Sequence, residues 1–288
     1  MIDVTRIDDV GQSISADYAV RQSWTDPRLT PFEGCKFAVD QVWIPQVAIL
    51  NSAHLWPELR DYVEVGSLGR VQYPQRYHGA VVFAYQARDF PFDEQKIVLS
   101  FLSMEYGADE VVLVNDEKFT GRIKSDVKIT DWEIGAVSAS VESMYVEAYG
   151  SNHSRLDVVL TAKRRTSYFI WKVMFPLILI VVMSWSVFWV HPGRFGPQIG
   201  LSATSMLTLI AFLFATEAIV PRLNYLTIMD KFVLGSTVLV FLALVEAVAT
   251  AYLIAKDREA VAVRMDGVCR WVFPTAFIGL ILGLYFEL

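Results

Sequence analysis

Cysteine is nearly absent: the 288 residues contain only Cys35 and Cys269. They lie far apart in the chain, so neither a disulfide framework nor a thiolate metal centre is expected. Histidine is as sparse, with His54, His78, His153 and His191 scattered along the sequence. No HExxH or GxSxG spacing and no glycine-rich phosphate loop accompanies them, which leaves an enzyme without a catalytic constellation. A basic excess is missing as well. The formal charge is −6 and the pI is near 5.3, which argues against nucleic-acid binding through a cationic footprint. The first ten residues are polar, of mixed charge, and lack the apolar core of a signal peptide. Either a leader has been removed or the chain belongs to a longer one. Internal repeats and low-complexity linkers are also lacking.

What the chain has in quantity is apolar surface: 54% hydrophobic residues and a mean hydropathy of +0.38, too high for an ordinary soluble domain. These residues fall into two zones. In residues 1–165, short alternations such as Tyr18-Ala-Val-Arg-Gln-Ser-Trp24, Ala80-Val-Val-Phe-Ala-Tyr85 and Lys96-Ile-Val-Leu-Ser-Phe-Leu102 recur between turn signals. Period-two patterning in many short runs predicts an immunoglobulin-like, all-β sandwich. After Lys163-Arg164-Arg165 the pattern changes to four apolar segments in residues 166–288: M1 (about 168–190), M2 (about 198–220), M3 (about 225–255) and M4 (about 265–288). At ~1.5 Å per residue each can cross a ~30 Å hydrocarbon core, which predicts a four-helix transmembrane bundle. M2 is the richest in hydroxyls (Ser202, Thr204, Ser205, Thr208, Thr216). Hydroxyls in hydrocarbon need partners or water, so M2 is expected to face an aqueous path. The layout predicts a multi-pass protein of a cell (inner) membrane with its N-terminal domain outside the cytoplasm, although the loop charges give this orientation only weak support.

Three motifs stand out: Trp43-Ile-Pro45, Arg88-Asp-Phe-Pro-Phe-Asp93 and Pro221-Arg-Leu-Asn-Tyr225. In this order, with Arg164 just before four membrane segments, the chain resembles the pentameric ligand-gated ion channels of the Cys-loop receptor superfamily over essentially its whole length. Phe83 and Ile97 stand where animal members carry the two half-cystines around the loop, and the M3–M4 break is only a few residues. Both departures suggest the prokaryotic branch. The resemblance implies a homopentamer of identical subunits around a central pore, in contact with membrane lipid and permeant ions. It places Gly200, Thr204, Leu207, Ala211, Phe214, Glu217 and Ala218 on the pore face of M2. It also implies a gating interface of Asp8 or Asp9, Phe90, Pro91, Phe92, Asp93, Arg164 and Pro221, in which the carboxylates approach Arg164. On charge pattern alone, the same residues also suit a headgroup boundary.

For the agonist, an unidentified small molecule or ion, the resemblance marks Trp24 on the complementary side of a subunit interface. On the principal side it marks Met104, Tyr106, Tyr145, Tyr149 and His153. Aromatic faces attract cationic amines, but Leu50 and Met104 replace aromatic residues of the animal cage. Each of these aromatics would equally serve a sandwich core. Asp109-Glu110 and Asp116-Glu117 are candidates for modulatory Ca²⁺ or for titration, with no resident cofactor expected. A carboxylate ring at Glu217 and the overall acidity favour cations. The inner end of M2, Gly196-Pro-Gln198, lacks the acidic residue usual in cation channels of this family. A non-conducting, membrane-anchored oligomeric binding protein is the alternative reading.

Overall fold

The computed structural model describes residues 2–9, 11–116, 129–190, 195–217 and 224–288, with the side chain of Phe195 left aside. The chain divides into a β unit (residues 1–85 and 94–164) and a helical unit (residues 86–93 and 165–288).

In the β unit the strands are β1 (Ile2–Asp8), β2 (Ser13–Thr25), β3 (Lys36–Ala38), β4 (Val47–Ile49), β5 (Ser52–Pro57), β6 (Tyr62–Val65), β7 (Arg70–Val82), β8 (Glu94–Ser103), β9 (Trp132–Val146) and β10 (Ser151–Arg164). They form two antiparallel sheets. One runs β1-β2-β7-β6-β3 with β5 added on β7, and the other runs β4-β8-β10-β9. Alternation drives the packing: Ile14, Ala16 and Tyr18 of β2 and Ile97, Leu99 and Phe101 of β8 point inward and are buried. In β10 the inward row is Val158, Leu160, Ala162 and Arg164, all buried, so the hydrophobic row ends in a charge. β5 approaches β7 closely at Gly79, which has φ 144°. A Cβ there would collide with the His54 carbonyl.

The helical unit contains α1 (Ser167–Trp189), α2 (Phe195–Thr216), α3 (Ile228–Ala255) and α4 (Glu259–Glu287). All four are long and apolar enough to span a membrane. α1 is not uniform. Ile170–Met174 makes a wide π turn just before Pro176, which has no N–H to continue the helical ladder. α3 is the central helix and packs against the other three, while Trp185 and Phe188 of α1 meet Phe277 and Phe273 of α4 at 5.5 and 4.8 Å.

The helix limits differ from those read off the hydropathy. α3 begins at Ile228 rather than near 225, because Thr227 caps it: the Thr227 hydroxyl accepts from the Asp230 N–H, and the Asp230 carboxylate accepts from the Thr227 N–H. α4 begins at Glu259 rather than near 265, because the break ends within Lys256–Arg258, where Asp257 has φ 56°. Its first turns are polar but helical, which hydropathy cannot register.

Gly79→Ala should destabilise the protein by roughly 2–3 kcal/mol. Thermal melting of the detergent-solubilised full chain measures this, and an unchanged midpoint would contradict the close approach.

Candidate functional site

Arg164 is placed by the register of β10. Its side chain is 2% exposed, which requires every part of the guanidinium to be satisfied inside the β unit. Nη1 donates to the Asp9 carboxylate at 2.8 Å and Nη2 to the Tyr85 hydroxyl at 2.7 Å. The plane lies over the ring of Trp132, 4.1 Å from its centroid, and Trp132 is the residue directly opposite Arg164 in the β9–β10 pair. The choice left open between the two aspartates is thereby resolved. Asp9 binds Arg164, while Asp8 accepts from the Gly11 N–H at 3.0 Å and shapes the β1–β2 turn.

Residues 86–93 belong to the helical unit although the chain on both sides of them belongs to the β unit. The Phe90–Pro91 peptide is cis. Phe90 is fully buried, with its ring 4.8 Å from that of Phe169 in α1; Pro91 and Asp93 are buried and Phe92 is half-buried. The loop's carbonyls complete α3. The Ile228 N–H donates to Arg88 O at 3.0 Å and the Met229 N–H to Phe90 O at 3.1 Å. With the Asp230 N–H on Thr227, the first three orphan donors of α3 are satisfied. The Tyr225 hydroxyl accepts from the Ala87 N–H at 3.0 Å. Pro221 lies outside the described residues.

Gly200, Thr204, Leu207, Ala211 and Phe214 on α2 and Glu217 in the turn just after it are all exposed on the single subunit, Leu207 by 67% and Phe214 by 74%. Steps of three or four residues make them one stripe. Gln198, Ser202, Ser205 and Leu209 lie buried on the opposite side. Gln198 therefore faces the subunit's own bundle rather than the stripe. Ala218 lies outside the described residues. The hydroxyls need a different account from the one their number suggested. Thr204, Ser205, Thr208 and Thr216 donate to the carbonyls of Gly200, Leu201, Thr204 and Phe212 at 2.8 to 3.0 Å. These bonds satisfy those four within the helix, whereas the Ser202 hydroxyl is buried without a hydrogen-bond partner. The exposed stripe is what marks this face.

The expected agonist residues separate into two groups. Trp24 and Tyr106 are joined through Trp43, with centroids 5.9 and 5.4 Å apart in turn. Trp43 was not among the expected site residues, although the Trp-Ile-Pro motif that contains it was the available signal. Met104 is half-buried beside this seam in sequence, its N–H donating to Gln46 O at 3.1 Å. On the β9–β10 hairpin, Tyr145 and Tyr149 are exposed. His153 is 1% exposed and lies at hydrogen-bonding distance from Ser103 O and the Ser151 hydroxyl, 2.9 Å each. It anchors the hairpin from inside the subunit, with its ring 5.3 Å from that of Tyr149.

Of the acidic pairs, Glu110 accepts from the Gly107 N–H, and Glu117 lies outside the described residues. Among the described residues one three-ligand group has metal-like spacing: Asp17, Glu58 and His78. Arg76 already supplies its cation, bonding Asp17 at 2.5 Å and Glu58 at 3.1 Å. His78 and then Arg76, hydrogen-bonded to Asp17, hold its carboxyl below the usual carboxylate range.

Two outcomes follow for the β unit. Arg164→Ala should cost about 3–5 kcal/mol, since it strands a carboxylate and empties the space over Trp132, while Tyr85→Phe should cost about 1 kcal/mol. Chemical denaturation of the full chain orders the two, and equal costs would remove Arg164 as the keystone. A lowered native value means that Asp17 stabilises the fold above about pH 4, the unfolded carboxylate value, and that the contribution is lost as pH falls through the native value. Asp17→Asn should therefore flatten the acid limb of the melting temperature against pH, and a limb of unchanged slope would contradict the assignment.

Residues 1–166 match the family profile described as neurotransmitter-gated ion-channel ligand binding domain. Residues 173–260 match that of the neurotransmitter-gated ion-channel transmembrane region. The chain is 24% identical over 285 residues to a proton-gated ion channel of Gloeobacter violaceus, covering 96% of this chain and 78% of that one. It is 24% identical over 258 residues to a gamma-aminobutyric acid receptor subunit beta of Caenorhabditis elegans, covering 85% and 46%. Against the beta-4 subunit of the Gallus gallus receptor the identity is 26% over 269 residues, covering 88% and 54%. The chain thus spans about half the length of each animal subunit.

Proposed function

Since the chain belongs to the neurotransmitter-gated ion-channel family, whose members are ligand-gated membrane channels and not enzymes, we propose that it forms a homopentamer conducting cations along a central path lined by α2. Residues 1–165 are the extracellular sensing domain and residues 166–288 the membrane domain. The observation that carries this reading is the two-faced α2. Ser202, Ser205 and Leu209 are buried within the subunit, while the stripe from Gly200 through Thr204, Leu207, Ala211 and Phe214 to Glu217 is left open. Fivefold symmetry turns Leu207 and Phe214 into apolar rings able to close the path by dewetting, and Glu217 into a carboxylate ring that concentrates cations. The weakly buried α4 meets lipid; only 11% of its apolar window is buried.

The agonist acts on the β unit, either as protons or a divalent ion at its acidic groups, or as a small molecule against Tyr145 and Tyr149. It shifts the closed–open equilibrium only by its difference in affinity for the two states. Asp9 with Arg164, and the loop from Phe90 to Asp93 on α1 and α3, are the groups through which the shift reaches α2.

Leu207→Ser should wet the constriction and lower the agonist requirement by about tenfold, or ~1.4 kcal/mol of bias. Planar-bilayer recording under asymmetric salt, with scans of pH, Ca²⁺ and amines, reads both the bias and the selectivity. Currents that never appear, together with cysteine accessibility along residues 200–217 without a helical period, would favour a non-conducting anchor.

A further inference from the structure

A polar cluster lies inside the helical unit, away from the exposed stripe. Glu246 and Thr250 come from α3, Asp266 from α4 and Gln198 from the first turns of α2, and none is more than 9% exposed. The Thr250 oxygen is 3.3 Å from Glu246 Oε1 and 3.1 Å from Asp266 Oδ1. The Gln198 amide Nε2 donates to Asp266 Oδ2 at 3.3 Å and to Val190 O, at the end of α1, at 3.0 Å. Its Oε1 is buried without a hydrogen-bond partner. The two carboxyl groups are also within hydrogen-bonding reach of each other.

Among the described residues the donors do not suffice for two carboxylates. Thr250 has a single hydroxyl hydrogen and can give it to only one of them. The other would then face the lone pairs of the Thr250 oxygen and a second negative charge in a buried site. No cationic side chain among the described residues bonds either group. Arg270, one turn further along α4, turns its Nε to Phe188 O at 2.8 Å, and among the described residues the Cys269 thiol also faces the pair. One additional hydrogen, on either carboxyl, completes the contacts among Glu246, Thr250 and Asp266: a carboxylic O–H donates to Thr250 or to the opposite carboxylate.

We propose that Glu246 and Asp266 form a binding site for one exchangeable proton, which joins α3 to α4 and, through Gln198, holds the first turns of α2. The site lies towards the ends of α3 and α4 that flank the short break at residues 256–258, the cytoplasmic side of the proposed channel. Loss of the proton sets two charges against each other across α3 and α4 and disturbs the anchor of α2. Cytoplasmic pH thereby biases the pore independently of the extracellular agonist.

The proton can be tested without relying on conduction. Infrared spectra of the full chain in liposomes at neutral pH, where ordinary carboxyls are ionised, should show the carbonyl stretch of a protonated carboxylic acid. That band should be missing from the Glu246→Gln/Asp266→Asn double variant, whose amides supply the lacking hydrogens. Thr250→Val should keep the band and shift it. Spectra of wild type and double variant that coincide in the acid-carbonyl region, or a band that Thr250→Val does not move, would overturn the site. Its regulatory role rests on the channel reading and is measured separately. In inside-out patches with external pH fixed, taking the cytoplasmic face from neutral to alkaline should change wild-type open probability several-fold and leave the double variant flat. Equal responses would overturn the regulation while leaving the proton site to the infrared result.

Discussion

A guanidinium at the inward-facing end of β10 has to be neutralised and hydrogen-bonded where the strand puts it, since water cannot reach it and the backbone register cannot slip without turning every core residue outward. Asp9 from the first turn, Tyr85 beyond β7 and Trp132 opening β9 converge on it. One side chain thus fixes the relative positions of three otherwise separate segments at the last residue before the membrane helices. An apolar residue of similar volume could match it in net stability. What the ion pair adds is direction: a fork held by a carboxylate, a hydroxyl and a ring face permits few geometries.

The loop at residues 86–93 works by a different economy. It brings backbone carbonyls to the donors at the start of α3, and Phe90 to the start of α1. Helix starts are where backbone groups lack internal partners, so a loop that supplies them becomes part of the helix end without altering its sequence. Movement of that loop would cost α3 its terminal hydrogen bonds, which suits a connection that transmits displacement.

Much of this was legible from periodicity. Ile14, Ala16 and Tyr18, or Ile97, Leu99 and Phe101, announce an inward face by alternation alone, and the membrane segments declare themselves by length. What could not be read were the pairings between distant residues. Nothing local separates Asp8 from Asp9, because the distinction depends on which carboxylate the β1–β2 turn consumes. Glu246 and Asp266 stand on different helices, at the Thr250 hydroxyl that both approach, and no local pattern pairs them. Gln198, at the inner end of M2, is rotated into the bundle, which its place in the sequence does not show. His153 carries the residue type of a ligand-facing group, but its neighbours Ser103 and Ser151 consume both ring nitrogens.

The back-bonded threonines of α2 bear on what the stripe offers to a passing solute. Thr204 and Thr208 have committed their hydrogens to the carbonyls one turn earlier. A hydroxyl in that state has no proton left to donate, and its free lone pairs turn outward. Thr204 on the stripe and the exposed Thr208 beside it therefore present acceptors only, oxygen lone pairs that carry a partial charge without a formal one.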